Sequence, residues 1–352
     1  MAQTQNTLVR EPIQTTQKSP FIINKRLEPK RTKAFDTYWH FAAERQKVFF
    51  SRLNSNPSPW TNDPIIQKYK FTNAYRASDR VSQYLIRNVI YSKKWSLKDT
   101  VFRVLLFKFF NKIETWELLE HKFGNITFSS FDINKYDKCL QSAKSRGISI
   151  YSAAYIMPSG SRKKYGQITK HRFHLQLLEY LINSNFHLTL KKQESMENVF
   201  IRLNEIDSLG RFLAYQYTID LNYSPWFNFS ENDFVVPGPG AKDGIRKCFS
   251  DLREYSEEDI IKLMQDEQEY HFNRLGIHFK SLWGRSLQLI DCQNIFCEVD
   301  KYSRVAHPDI NGISGRTRIK QKYKPKPLLT TSWYPPKWGL NELITKAQIK
   351  TA

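Results

Sequence analysis

Apolar residues recur at helical spacing along most of this chain. Phe35, Tyr38, Trp39, Ala42, Val48 and Phe49 mark a first helix over 35–53. Pro57, Pro59 and Pro64 then break the pattern. It resumes over 73–90. It returns from Ser96, a fitting N-cap before Lys98 and Asp99, and runs to residue 110. Further helices are predicted over 115–123, 133–145, 171–184, 196–205, 210–221, 241–252 and 286–302. Ser256 caps another, with Glu257, Glu258 and Asp259 in the first turn, where the helix dipole favours them. Residues 146–170 hold Gly147, Pro158, Gly160 and Gly166 around Arg162, Lys163 and Lys164, and read as a loop or short hairpin. Strand-like runs are few and no repeat is present. The pattern predicts a mainly α globule.

Charge adds a partner to that picture. The 352 residues carry a formal net charge of +20, with a pI near 9.6, which favours a polyanion such as nucleic acid or an acidic membrane surface. Residues 1–35 hold seven Lys/Arg against two Glu, and residues 312–352 nine against one. The expected organisation is a basic, disordered arm over 1–34, a helical domain over 35–311 and a basic tail over 312–352. In the tail Arg316, Arg318, Lys320, Lys322, Lys324 and Lys326 alternate, so an extended chain presents them on one side.

Cys139, Cys248, Cys292 and Cys297 are too scattered for a disulfide scaffold and read as reduced structural thiols. No Cys/His group has zinc spacing, and nothing near His171 and His174 completes a site. No metal or cofactor is expected. The N-terminus lacks an apolar signal core, and Arg103 and Lys108 interrupt the most apolar run, 100–110. These features predict a cytoplasmic protein associated with nucleoid or viral DNA, nuclear in a eukaryote, with no membrane partner.

Three segments carry candidate chemistry. Phe234-Val-Val-Pro-Gly-Pro-Gly-Ala241 is a turn whose glycines leave backbone N–H groups open at the start of the next helix. It is a natural phosphate seat, with Gly238, Pro239, Gly240 and Ala241 at the backbone and Lys242, Arg246 and Lys247 adding charge. The alternative is an ordinary Gly/Pro helix connection. Leu289 to Tyr302 packs Asp291, Gln293, Asn294, Glu298, Asp300 and Lys301 among apolar residues. A carboxylate with carboxamide neighbours can orient a nucleophile and read a base edge, unless the helix is simply amphipathic. The third segment runs from Pro59-Trp-Thr-Asn-Asp-Pro-Ile-Ile66 through Tyr69-Lys-Phe-Thr-Asn-Ala-Tyr-Arg-Ala-Ser-Asp-Arg80 to Gln83. On the predicted helix Arg76 and Arg80 share a face suited to phosphates. Asn73, Tyr75, Asp79 and Gln83 are suited to a base pocket. A structural ion-pair set is the alternative there.

These three segments, with a Gly-Arg-Phe-Leu-Ala-Tyr-Gln helix at 210–216, resemble the α-glutamyl/putrescinyl-thymine pyrophosphorylase-like family. Its helical domain also occurs beside kinases of 5-hydroxymethyluracil in phage DNA. The resemblance covers about 35–310. The turn also resembles the hairpin of helix-hairpin-helix DNA glycosylases. The resemblance implies a helical DNA-glycosylase-like globule that binds DNA carrying modified pyrimidines and acts on a flipped base. It implies Asp291 as the leading catalytic carboxylate, with Glu298 and Asp300 as rivals, and glycosylase chemistry first. A DNA base-modifying transferase, adding an amino acid or polyamine to a thymine-derived base, is the alternative. A non-catalytic DNA-binding module is the third reading. No GxxxxGK[ST] loop for kinase chemistry and no four-cysteine iron–sulfur signature is present.

Overall fold

A computed structural model describes residues 27–160, 168–324 and 332–351. Most of the expected N-terminal arm, the Arg162-Lys163-Lys164 cluster, Gly166 and Lys326 lie outside the described residues. The fold is mainly α, with one two-stranded antiparallel ribbon among the described residues, β1 (Lys30–Arg31) on β2 (Phe249–Asp251). The ribbon corrects two expectations. The arm does not run free to residue 34, because β1 leads directly into α1 (Lys33–Leu53). The helix expected to reach residue 252 stops at Cys248. There the backbone N–H and hydroxyl of Thr32 donate to the carbonyls of Cys248 and Lys247, closing the helix end from outside.

The prolines after α1 open a helix rather than only ending one. Pro64 is the first residue of α2 (Pro64–Lys68), and Asp63 accepts the N–H groups of Ile65 and Ile66. The helix expected over 73–90 forms only in its second half. Asp79 accepts the Asn73 N–H at 2.9 Å and Asn73 Nδ2 donates to the Ser78 carbonyl, so side chains take the bonds a helix would need. A 3₁₀ turn (Arg76–Ser78) follows, then α3 (Arg80–Tyr84) and a π-helical stretch (Leu85–Ile90).

One group of helices comprises α4 (Leu97–Phe110), α5 (Ile113–Phe123), α6 (Ile133–Ser145), α7 (Lys170–Asn183), α8 (Phe186–Lys191), α9 (Met196–Asn204) and α10 (Arg211–Asn222). Its centre is α4, buried from Thr100 to Phe110. The two cations that interrupt this apolar run are satisfied inside it. Arg103 donates to the carbonyls of Val89, Ile126 and Asn88, and Lys108 meets Asn111 and Asp220.

A second group comprises α11 (Pro239–Cys248), α12 (Glu257–Asp266), α13 (Gln268–Arg274) and α14 (Leu289–Ala306), which pack with α1. The axis of this group is α14, buried over most of its length. Gly244 lets α11 lie against it, since a Cβ there would fall 2.0 Å from the Phe296 carbonyl.

The C-terminal segment is not a loose tail. Residues 314–323 form an extended strap. The Ser314 N–H donates to Asp243, Arg304 donates to the Arg318 carbonyl, and Tyr69 and Lys322 form a β-bridge. Farther on, Tyr334 is fully buried with its hydroxyl 2.7 Å from Ser78 Oγ. The Lys337 ammonium donates to the carbonyls of Asn222, Ser224 and Phe227. The chain closes on α15 (Leu340–Thr351).

Candidate functional site

The two helix groups meet at residues 72–79 and along one side of α14. Residues 291, 294 and 298 fall on one face at helical spacing, and that face grips the 72–76 backbone. Asp291 accepts the Arg76 N–H at 2.8 Å with Oδ1 and the Gln288 N–H at 3.0 Å with Oδ2. It is the acidic half of a capping box with Gln288. Asn294 Nδ2 donates to Thr72 Oγ1 and the Asn73 carbonyl. Glu298 accepts the Thr72 N–H and pairs with Lys301 at 2.5 Å. Burial raises the Asp291 carboxyl to about 7, although two N–H bonds oppose the rise.

The remaining acidic candidate points elsewhere. Asp300 binds Lys247 of α11 at 2.9 Å and also Arg304. Lys247, expected beside a phosphate, is buried in this pair. Of the base-pocket candidates, Tyr75 is buried and donates to the Arg285 carbonyl. Asn73 accepts from Arg45. Gln83 donates to the Ala77 carbonyl and accepts the Trp333 N–H. Asp79 stays part-exposed with one oxygen on the Asn73 N–H. Desolvation, with Glu298 nearby, raises its carboxyl to about 7.

Arg76 corrects the expectation of a phosphate contact. It sits in the 3₁₀ turn, 3% exposed, because that turn points it inward, while Arg80 is exposed on α3 near Glu114. Its guanidinium donates to Gln216 at 2.9 Å and to the Tyr223 hydroxyl at 3.0 Å, and pairs with Asp220 at 2.8 Å. Lys108 pairs with the other Asp220 oxygen at 3.0 Å. Burial alone would raise the Asp220 carboxyl, but Arg76 and Lys108 outweigh it and hold the group below the usual carboxylate range. Two cations thus share one buried carboxylate. Tyr155, at a positive φ of 53°, lies over Lys108 at 4.8 Å and stacks on Phe212.

The Pro-Gly-Pro-Gly turn starts α11. No side chain caps its N-terminus. Gly238 lies against the Phe212 ring, and Gly240 faces Cys297, whose Sγ would be 3.2 Å from an added Cβ. Ala241 is buried and Pro239 is exposed. Lys242 and Arg246 are solvent-facing but share Glu257, at 3.9 and 3.2 Å. Along the strap, Arg316, Arg318, Lys320, Lys322 and Lys324 are exposed while Ile319 and Tyr323 are part-buried. The intervening Thr317 and Gln321 are exposed as well, so the basic side chains line an open strap rather than one separate face.

The geometry joins a buried polar centre, a turn with open donors and a basic rail. Against known proteins, the helical-domain model of 5-hmdU DNA kinase matches residues 32–312. The chain belongs to this family. The 5-hmdU DNA kinase of Bacillus phage SP10 is 27% identical over 285 residues, 76% of this chain and 44% of that protein. The chain therefore spans less than half of that relative's length. No solved structure matches. The kinase-associated part of the expected resemblance is thereby met, and neither match names a glycosylase.

Four members of the centre in this 5-hmdU DNA kinase helical domain were not singled out from sequence: Lys108, Tyr155, Gln216 and Asp220. The available signal was a Lys inside the most apolar run, and Gln216 and Asp220 one turn apart in a helix that is buried on all sides from Leu213. Among the described residues no His/Cys/Asp/Glu group could hold a metal, and no helix is long and apolar enough to cross a membrane. The four cysteines are free thiols.

Proposed function

We propose that this chain binds DNA carrying a 5-substituted pyrimidine and carries out group transfer at the 5-methylene carbon of that base. In this reading an amine attacks a methylene whose oxygen has been phosphorylated. The C–N bond forms, the C–O bond breaks with its electron pair leaving on the phosphate, and a carboxylate takes the ammonium proton. The observation that carries the assignment is Asp79. It is a part-exposed carboxylate beside the Arg76 centre, with a proton affinity near neutrality, as a general base requires. Asp291 becomes a positioning residue, because both of its oxygens hold backbone amides. The turn at 237–241 and the strap hold the DNA backbone. The family match over 32–312 supports a modified-uracil substrate.

The test incubates the chain with duplexes containing thymine, 5-hydroxymethyluracil or its phosphate ester, plus putrescine or glutamate. Nucleosides are then weighed by mass spectrometry. The expected product is a heavier nucleoside in an alkali-stable strand, from the phosphate ester alone. Asp79→Asn should lower turnover by about 10²–10⁴-fold while DNA is still bound. Release of free base with an alkali-labile strand would replace this reading with the glycosylase one, in which a carboxylate offsets charge on the sugar. No change to any duplex would leave a DNA-binding module.

A further inference from the structure

The polar centre begins directly beneath the turn. Gly240 faces Cys297 of α14, and both are part-exposed. One turn earlier Gln293 donates from Nε2 to Cys297 Sγ at 3.1 Å. Across the boundary between the helix groups, Gln216 Nε2 reaches Gln293 Oε1 at 3.5 Å, the limit of a hydrogen bond. Gln216 Oε1 is held by Arg76 Nε. A chain of donors, Arg76 to Gln216 to Gln293, thus fixes the orientation of both carboxamides. Both are 2% exposed, and apart from the Arg76 bond to Gln216 Oε1 their remaining polar atoms meet only one long bond and a thiol contact, a costly arrangement for buried amides. Beside them the Tyr215 hydroxyl is fully buried with no partner among the described residues. Tyr155 holds a left-handed backbone conformation that an aromatic residue rarely adopts.

We infer that Gln293 and Gln216 form the reading edge for a uracil-type base and that Tyr155 supplies the ring on which the base stacks. The chemistry selects the base. A uracil edge runs acceptor, donor, acceptor through O4, N3–H and O2. A carboxamide of fixed orientation can therefore accept N3–H and donate to one flanking oxygen, whichever way the base turns. Cytosine offers a donor at N4 and has no N3–H, so it fits in one order only. Neither amide reaches the 5-position through this edge, which leaves a 5-methylene substituent free for transfer. The inference rests on the proposed action on a pyrimidine in DNA. It goes further in naming the residues that identify the base.

The test measures affinity of the full chain, by fluorescence anisotropy, for duplexes with 5-hydroxymethyluracil, 5-hydroxymethylcytosine or an abasic site at one central position. The native chain should prefer 5-hydroxymethyluracil over both others by about tenfold. Gln293→Met keeps the side-chain length and removes only the two weak contacts. It should bring the three affinities together with its melting temperature maintained. Tyr155→Ala, at a part-exposed position, should reduce affinity for both base-bearing duplexes toward the abasic value by about tenfold, with Tyr155→Phe retaining it. Full preference for 5-hydroxymethyluracil in Gln293→Met would overturn the inference and leave the proposed function standing. So would Tyr155→Ala with unchanged affinities. A native chain indifferent to all three duplexes would overturn this inference, whereas the proposed function falls only if the nucleoside assay gives no heavier product from the phosphate ester.

Discussion

The two halves of α14 each bury an aspartate, and they match it differently. Asp300, in the second half, meets two full charges, Lys247 and Arg304. Asp291, in the first half, meets two backbone dipoles, the amides of Arg76 and Gln288. A carboxylate matched by a cation from a neighbouring helix locks the two helices together. One matched by dipoles alone holds a loop in place, but burial drives its proton affinity up to about 7. The second half of the helix therefore ties α14 to α11. The first half positions Arg76 and, through it, Gln216 and Asp220. Dense polarity along a single helix thus hides two different functions, one structural and one directed at the boundary between helix groups.

Asp300→Ala should break the comparison most severely. It leaves Lys247 and Arg304 without their partner, and Lys247 is 2% exposed. Removing one member of a buried ion pair costs about 3–5 kcal/mol, measurable as a lower midpoint in urea unfolding at unchanged slope. A loss near that of an exposed pair, below about 1 kcal/mol, would show that the cations reach solvent when released.

Asp291→Asn should have a smaller effect that depends on pH. The folded carboxyl titrates near 7, against about 3.9 in an unfolded chain. Between these values the native state holds a proton that the unfolded state has lost, so this group's contribution to stability falls as pH rises from about 4 through 7. Asparagine cannot titrate. The native curve should therefore be steeper than the variant's by up to about 1.4 kcal/mol per pH unit in that window. At pH 5 the variant should also be less stable by about 1 kcal/mol through loss of a cap acceptor, and the gap should close within about one pH unit and reverse above it, leaving the variant the more stable at pH 8. Parallel curves would mean that Asp291 is ionised throughout.

Much of this architecture was legible in the sequence. Helical spacing marked α1, α4 to α7, α9 to α12 and α14, because each buries a regular stripe or, in α4 and α10, a whole circumference. The short helices α8 and α13 were missed, as six or seven residues carry too few turns for a period to show. Residues 73–79 were misread as helix because the apolar spacing there arises from a side-chain-bonded loop. That error turned Arg76 outward on paper, when its real partners, Gln216 and Asp220, lie some 140 residues away in sequence. The polar content of 291–301 was visible, but which acid met a cation was not. Arg304, one turn on from Asp300, was within reach of local spacing, but Lys247 is chosen by helix packing that local pattern does not encode.

The smallest expected effect lies on the strap, which the second half of α14 anchors through Arg304 and the Arg318 carbonyl. Arg316, Arg318 and Lys320 are all exposed and fall on alternate positions of an extended segment, about 7 Å apart. None of the three has an acidic partner in the ion pairs of the described residues. If they follow a phosphate backbone, each contact releases about 0.9 counterion on duplex DNA. Replacing all three by alanine should therefore lower the slope of log affinity against log salt by about 2.7. It should leave unfolding stability unchanged, because the strap is held by backbone bonds that the substitutions keep. The same triple variant should retain any preference for a modified base, since phosphate contacts carry no sequence information. An unchanged salt slope would remove the strap from the DNA-binding surface and shift the electrostatic contact to the turn at 237–241. Loss of base preference along with the slope would show that strap and polar centre act as one unit, and that the two halves of α14 are coupled through Arg304.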